Sequence, residues 1–270
     1  MATVIEVYHV INEFAPFEIQ MEFDNAGFLV GRGGAEVDRI LVSLDITEQV
    51  IEEATSINAQ LIVAHHPVLF HPARSVTDGD VTGRKLLALA ESGIAAICVH
   101  TNLDAVWMGV NDCLAQALRL SEVGQLHPDG EDREGRPYGI GRVGTAHNPG
   151  LSAGEYAKFV QSALYAHSVR FVDCGKPVHR VAVGGGACGN LLQDVIRTGC
   201  DTFVTSDLRY HEFLDASDLG VNIMDAGHFA TEHVVCTPLA QRLSASLPSV
   251  NVTVSQSHCE VYHGLGQETR

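Results

Sequence analysis

Basic residues are scarce in this chain. Seventeen Lys+Arg stand against 33 Asp+Glu over 270 positions, a formal net charge of −16. So acidic a surface repels a phosphate backbone and argues against a nucleic-acid partner. No apolar run approaches the roughly 18 residues a membrane-spanning helix requires. The opening Met-Ala-Thr-Val-Ile-Glu-Val-Tyr has no basic stretch ahead of an apolar one, so a secretory signal is not expected. The seven cysteines form an odd set without a C-x-x-C pair, which speaks against a structural zinc knuckle and for reduced, mostly buried thiols in a cytoplasmic protein. With 46% hydrophobic and 19% charged residues the chain is not a disordered one. What it has in unusual number is histidine, fourteen in all, several of them clustered.

Apolar runs bounded by turn signals, Ile40–Leu44, Leu61–Ala64 and Ile94–Val99, predict buried parallel strands. Helical spacing lies between them: Thr47 caps a helix carrying Val50, Ile51, Ala54 and Ile57, and Gly83–Glu91 supplies the next. The plan repeats in strands Val181–Val183, Thr202–Thr205 and Val221–Met224 with helices Leu191–Thr198 and Leu208–Ala216. Such alternation predicts right-handed βαβ units. The middle, roughly 105–177, reads as a small appended subunit. It holds a charged Gly/Pro loop (126–137), a strand Gly139–Thr145, a capping box Ser152-x-x-Glu155 before helix Tyr156–Leu164, and a strand Ser168–Val172; a final strand Val250–Val254 closes the chain. The expected fold is α/β, two similar lobes with mainly parallel sheets, divided as 1–125 and 126–270 or intertwined as one domain.

Three polar segments follow buried strands, the place where ligands bind in open α/β sheets. The first is His65-His66-Pro67, where Pro67 stops the strand and holds His66 extended. The second, His100-Thr101-Asn102-Leu103-Asp104, offers Asp104 as a ligand or a helix cap. In the third, Asp225-Ala226-Gly227-His228-Phe229-Ala230-Thr231-Glu232, His228 and Glu232 share one helical face about 5–6 Å apart. Imidazole with carboxylate suits zinc, iron, manganese or nickel and not calcium. Five ligands, His65, His66, Asp104, His228 and Glu232, exceed the three of a mononuclear catalytic zinc and fit two bridged ions per subunit that activate a water. Asp207 and His211, four apart past a strand of the second half, join Glu232 as candidates for catalysis, by proton transfer or by orienting a substrate. Each has a plainer reading as a helix cap and an exposed helical histidine. The other histidines, His258 among them, are expected to be surface or structural.

A rival motif is Gly184-Gly185-Gly186-Ala187-Cys188-Gly189, a literal G-x-G-x-x-G after a strand, with Asp207 ending the next strand. As a dinucleotide site it is truncated and leaves the histidines unexplained. It could instead hold a substrate phosphate or carbonyl at a helix N-terminus.

Six segments resemble one family, the NIF-three-like dinuclear metal-centre proteins, GTP cyclohydrolase I type 2 homologues. They are Asp24–Gly31, Ser43–Asp45, His65–Phe70, His100–Asp104, Thr205–His211 and Asp225–Glu232, in family order across nearly the whole chain. Ser206 stands where the family usually has Gly. The resemblance implies that His65 and His228 hold one ion, His66 and Asp104 the other, and that Glu232 bridges them. It further implies lobes packed around a metal cleft in a short form without the inserted domain, a homohexameric ring, and a metal-dependent hydrolase acting on a small molecule or nucleotide. The alternative is a ring-shaped metal-binding module without catalysis.

Overall fold

The structure, a computed structural model, describes residues 2–132 and 135–263. Helix α1 (Val4–Phe14) is followed by β1 (Gly27–Val30), β2 (Arg39–Ser43), α2 (Glu48–Ser56), β3 (Leu61–Ala64), α3 (Val81–Glu91) and β4 (Ala95–Cys98). The short α4 (Thr101–Ala105) leads to α5 (Val110–Ala117), β5 (Ser121–Gln125), β6 (Arg142–Thr145), α6 (Ala153–Leu164), β7 (Arg170–Phe171) and β8 (Arg180–Val183). After these come α7 (Leu192–Arg197), β9 (Thr202–Thr205), α8 (Tyr210–Leu219), β10 (Asn222–Asp225), α9 (His228–Glu232), α10 (Cys236–Ser246) and β11 (Asn251–Val254).

Two compact units result. One comprises the residues up to Leu103 with Cys236–Cys259, the other Asp104–Val235 with the residues from Glu260 on. This division departs from the expected boundary at 125/126. Its reason is strand pairing. β11 runs parallel to β2, Asn251 opposite Arg39 and Val254 opposite Val42, so the C-terminal helix and strand complete the first sheet.

The first unit's sheet has the order β11-β2-β3-β4-β1, all parallel except β1, which pairs antiparallel with β4. Ile40, Leu41, Val42 and every residue of β3 are fully buried, as continuous apolar runs require when helices cover a parallel sheet. α2 starts where expected: Thr47 Oγ1 accepts the Val50 amide at 3.2 Å. α2 and α3 bury Val50, Ile51, Ala54, Leu86 and Leu89 against Leu41, Ile62 and Ala96. Each Å² of apolar surface this layer removes from water contributes about 25 cal/mol.

The second unit's sheet has the order β7-β10-β9-β8-β6-β5, with β8, β9 and β10 parallel and the rest antiparallel. The middle segment is therefore no appendage. β6 pairs with β8, Arg142 opposite Val183, and α6 packs Tyr156, Ala157, Val160 and Leu164 into one core with Val181, Val183, Val204 and Met224. The capping box of Ser152 and Glu155 is present. Among the described residues the cysteines form no disulfide, and no helix is long and apolar enough to cross a membrane.

Candidate metal centre

In the first unit, β3 delivers both histidines at its carboxyl end. The backbone amides of His65 and His66 donate to Leu44 O at 3.1 and 2.9 Å, which ties the segment past the strand to the end of β2. Each ring is then clamped through Nδ1. His65 Nδ1 donates to Val99 O at 2.8 Å, and His66 Nδ1 to Asp45 Oδ1 at 2.8 Å. His100 follows the same rule, with its Nδ1 on Asp24 Oδ1 at 2.8 Å. A proton held on Nδ1 leaves Nε2 as the lone-pair nitrogen, the tautomer that metal-binding histidines use. Donor atoms of His65, His66 and His100 lie within 4.8 Å of one another, a grouping that could hold a metal ion.

Two carboxylates behind these rings were not assigned a role from the sequence. Asp24 accepts from His100 and, through Oδ2, from the Thr101 amide at 3.0 Å and its hydroxyl. Burial opposes its charge, but these hydrogen bonds prevail and bring its pKa down to about 2. Asp45 accepts His66 on one oxygen and His258 Nε2, at 2.9 Å, on the other. Burial again opposes ionisation, and the two histidines outweigh it and hold Asp45 far below the usual carboxylate range. His258 is thus no surface histidine; its side chain is 5% exposed. Asp45 and His258 are 213 residues apart, and no local pattern marks the pair.

In the second unit, β10 ends at Asp225 and a single tight turn starts α9. Asp225 Oδ2 accepts the Leu208 amide and Arg170, and Oδ1 accepts the Gly227 amide at 3.1 Å. Gly227 has φ +87°, and a Cβ there would run into the Tyr262 hydroxyl, so only glycine fits. The turn places His228 and Glu232 on one face, His228 Nε2 being 2.9 Å from Glu232 Oε2. Asp207, in the left-handed region at φ +52°, accepts His228 Nδ1 at 2.7 Å. His228 thus repeats the Nδ1 contact of the first unit, with a second carboxylate, Glu232, at its Nε2. Asp104 is buried, and a carboxylate oxygen of Asp104 lies within 4.8 Å of one of Glu232. Two buried carboxylates this close repel unless a proton or a cation accompanies them.

The Gly-rich turn is a packing element of this unit and not a phosphate cradle. The amides of Gly184, Gly185, Gly186 and Cys188 donate to Val204 O, Asn111 Oδ1, Thr231 Oγ1 and Thr205 Oγ1. A Cβ on Gly186, at φ +67°, would collide with the Glu232 carboxylate. The glycines let the turn approach α9 closely. Asp207, the acidic residue that a dinucleotide fingerprint would assign to a ribose, is committed to His228. The other proposed catalytic residue, His211, is exposed on the first turn of α8, and among the described residues it makes no hydrogen bond to the candidate ligands.

The donor types fit a divalent transition ion: imidazoles each held through Nδ1, and buried carboxylates.

Comparison with known proteins places the chain in a family. The sequence model of the family described as Duf34/NIF3 (NGG1p interacting factor 3) matches residues 2–260. A Clostridium acetobutylicum protein named GTP cyclohydrolase 1 type 2 homolog is 30% identical over 264 residues, 96% of this chain and 97% of its own. A Streptomyces coelicolor protein of the same name is 35% identical over 240 residues, 87% of this chain and 84% of its own. Among solved structures, a Bacillus cereus protein related to NIF3 matches with a TM-score of 0.92 at 23% identity, over 98% of this chain and 99% of that one, a likeness of fold.

Proposed function

Because the chain belongs to the Duf34/NIF3 family, we propose that it holds two divalent ions through His65, His66, Asp104, His228 and Glu232 and hydrolyses a small-molecule or nucleotide substrate. The observation that carries this reading is the shared clamp: His65, His66 and His228 each place Nδ1 on a carbonyl or carboxylate at 2.7–2.8 Å. Ordinary surface histidines have no reason to repeat one tautomer. When bound, a pair of ions supplies a water whose pKa falls towards about 7, and so a hydroxide without a strong base. The chain's own part is to aim and neutralise. Val99 O, Asp45 and Asp207 fix the rings. Glu232, buried beside His228 and Asp104, offers the carboxylate best placed to bridge. Asp207 orients His228, which leaves proton transfer to another group. The relatives' name points to cyclohydrolase chemistry on a purine nucleotide. Zinc, iron, manganese and nickel all suit these donors. Assembly as a homohexamer belongs to the same proposal, and light scattering at six times the 29.0 kDa chain mass tests it.

The test of activity is a screen of metal-loaded protein against nucleotides, phosphoesters and cyclic amides, with Glu232→Gln alongside. Turnover that needs metal and fails in Glu232→Gln supports the reading. Metal uptake without any turnover would leave a non-catalytic metal-binding protein.

A further inference from the structure

We propose that His258 is a positioning residue for the metal ligand His66, acting through Asp45, and that the C-terminal segment 255–258 is built to deliver it. The inference rests on the metal-binding reading above and adds a residue to it.

The geometry is a chain of three side chains. His66 Nδ1 donates to Asp45 Oδ1 at 2.8 Å, and His258 Nε2 donates to Asp45 Oδ2 at 2.9 Å. The Asp45 side chain is 39% exposed, so a single hydrogen bond to His66 would leave water to compete for the carboxylate and let it turn. The second hydrogen bond, from a ring that is 5% exposed, fixes the carboxylate plane at both oxygens. The Asp45 backbone is also held, its carbonyl accepting Ser43 Oγ at 2.8 Å.

The delivery of His258 is equally specific. Beyond β11, Glu53 on α2 gathers the segment onto itself. Its Oε2 accepts the Ser255 hydroxyl at 2.5 Å, the Ser257 amide at 3.1 Å and the Ser257 hydroxyl at 2.7 Å, and its Oε1 accepts the Gln256 amide at 2.9 Å. The His258 amide donates to Ser255 Oγ at 3.3 Å. One carboxylate on a helix thus organises three consecutive residues, and the next residue is the histidine that reaches Asp45. A segment that only closed the domain would have no need to end on a buried ring aimed at a carboxylate behind a metal ligand. Removing the direct partner of a metal ligand, here Asp45, costs about 10–100-fold in affinity; His258 stands behind that partner, and its effect falls at the low end of that range.

The test exploits which nitrogen is used. Glutamine places its amide nitrogen near the position of Nε2, and asparagine near that of Nδ1. His258→Gln therefore keeps the donor to Asp45, and His258→Asn loses it at similar polarity. Cobalt(II) titration of the full chain, followed by its absorption spectrum, is expected to give His258→Gln within about threefold of wild type and His258→Asn and His258→Ala weaker by about tenfold. In metal-free protein, nitrogen NMR of the His66 ring is expected to report the proton on Nδ1 in wild type and His258→Gln and a mixture of tautomers in His258→Asn. If His258→Ala does not fold, the Gln and Asn pair decides. Equal behaviour of that pair in both measurements overturns the proposal. Failure of wild type to take up cobalt overturns the metal-binding reading instead, and the NMR comparison still decides the role of His258.

Discussion

In the first unit, His65 and His66 leave the end of one strand and are steadied by groups far away in the chain, Val99 34 residues on and Asp45 21 residues back, with His258 behind Asp45. In the second unit, His228 and Glu232 share one helical turn, and Asp207, which pairs with His228 from 21 residues back, sits exposed between β9 and α8. The two units hold Nδ1 of their histidines in the same way but with different support. In one, the orienting carboxylate is held at both oxygens, the second by the buried His258; in the other, the carboxylate is open to water. Both orienting carboxylates stand 21 residues before the histidine they hold, so each arrangement depends on its unit being folded.

That contrast can be broken or sharpened by mutation. The largest effect is expected from Glu232→Gln, which removes the buried carboxylate nearest both His228 and Asp104; bound metal should be lost on dialysis, read by elemental analysis. Asp45→Ala comes next, with metal affinity down about 10–100-fold by calorimetric titration. Asp24→Asn tests a fold contribution of the first unit. The folded pKa of Asp24 lies at about 2, below the ordinary 3.8, so its stabilisation is present above pH 4 and is lost as pH falls through 2. The substitution should cost about 2 kcal/mol at pH 7 by denaturant unfolding, and the difference from wild type should shrink in that acid window. Asp207→Asn is expected to be mildest, about tenfold or less in metal affinity, because water reaches its exposed carboxylate and can replace it. A loss from Asp207→Asn as large as that from Asp45→Ala would erase the distinction between the units.

What was legible beforehand is what local chemistry encodes. Strands Leu61–Ala64 and Thr202–Thr205 were read to the residue, because a buried parallel strand writes itself as an unbroken apolar run. Thr47 and Ser152 were legible for a similar reason: helix caps are local chemistry. The division of the chain was not, since β11 belongs to the first sheet through hydrogen bonds to β2 that no local pattern encodes. The middle segment misled in the same way, its strands joining the second sheet by pairings formed only in three dimensions. Among candidate site residues, the strand-end histidines and the His228–Glu232 pair carried local signals. Asp45 and His258 carried none. The Gly-rich turn carried a false one, because close approach to a helix and close approach to a phosphate call for the same residue.

The most direct measurement of the central claim is the metal content of protein purified without a histidine tag, determined together with that of Glu232→Gln. Two transition-metal ions per 29.0 kDa chain in the native protein, with a clear loss in the variant, is the predicted result. Native protein that retains no ion after incubation with zinc, iron, manganese or nickel, or a variant that retains as much as the native chain, would contradict it.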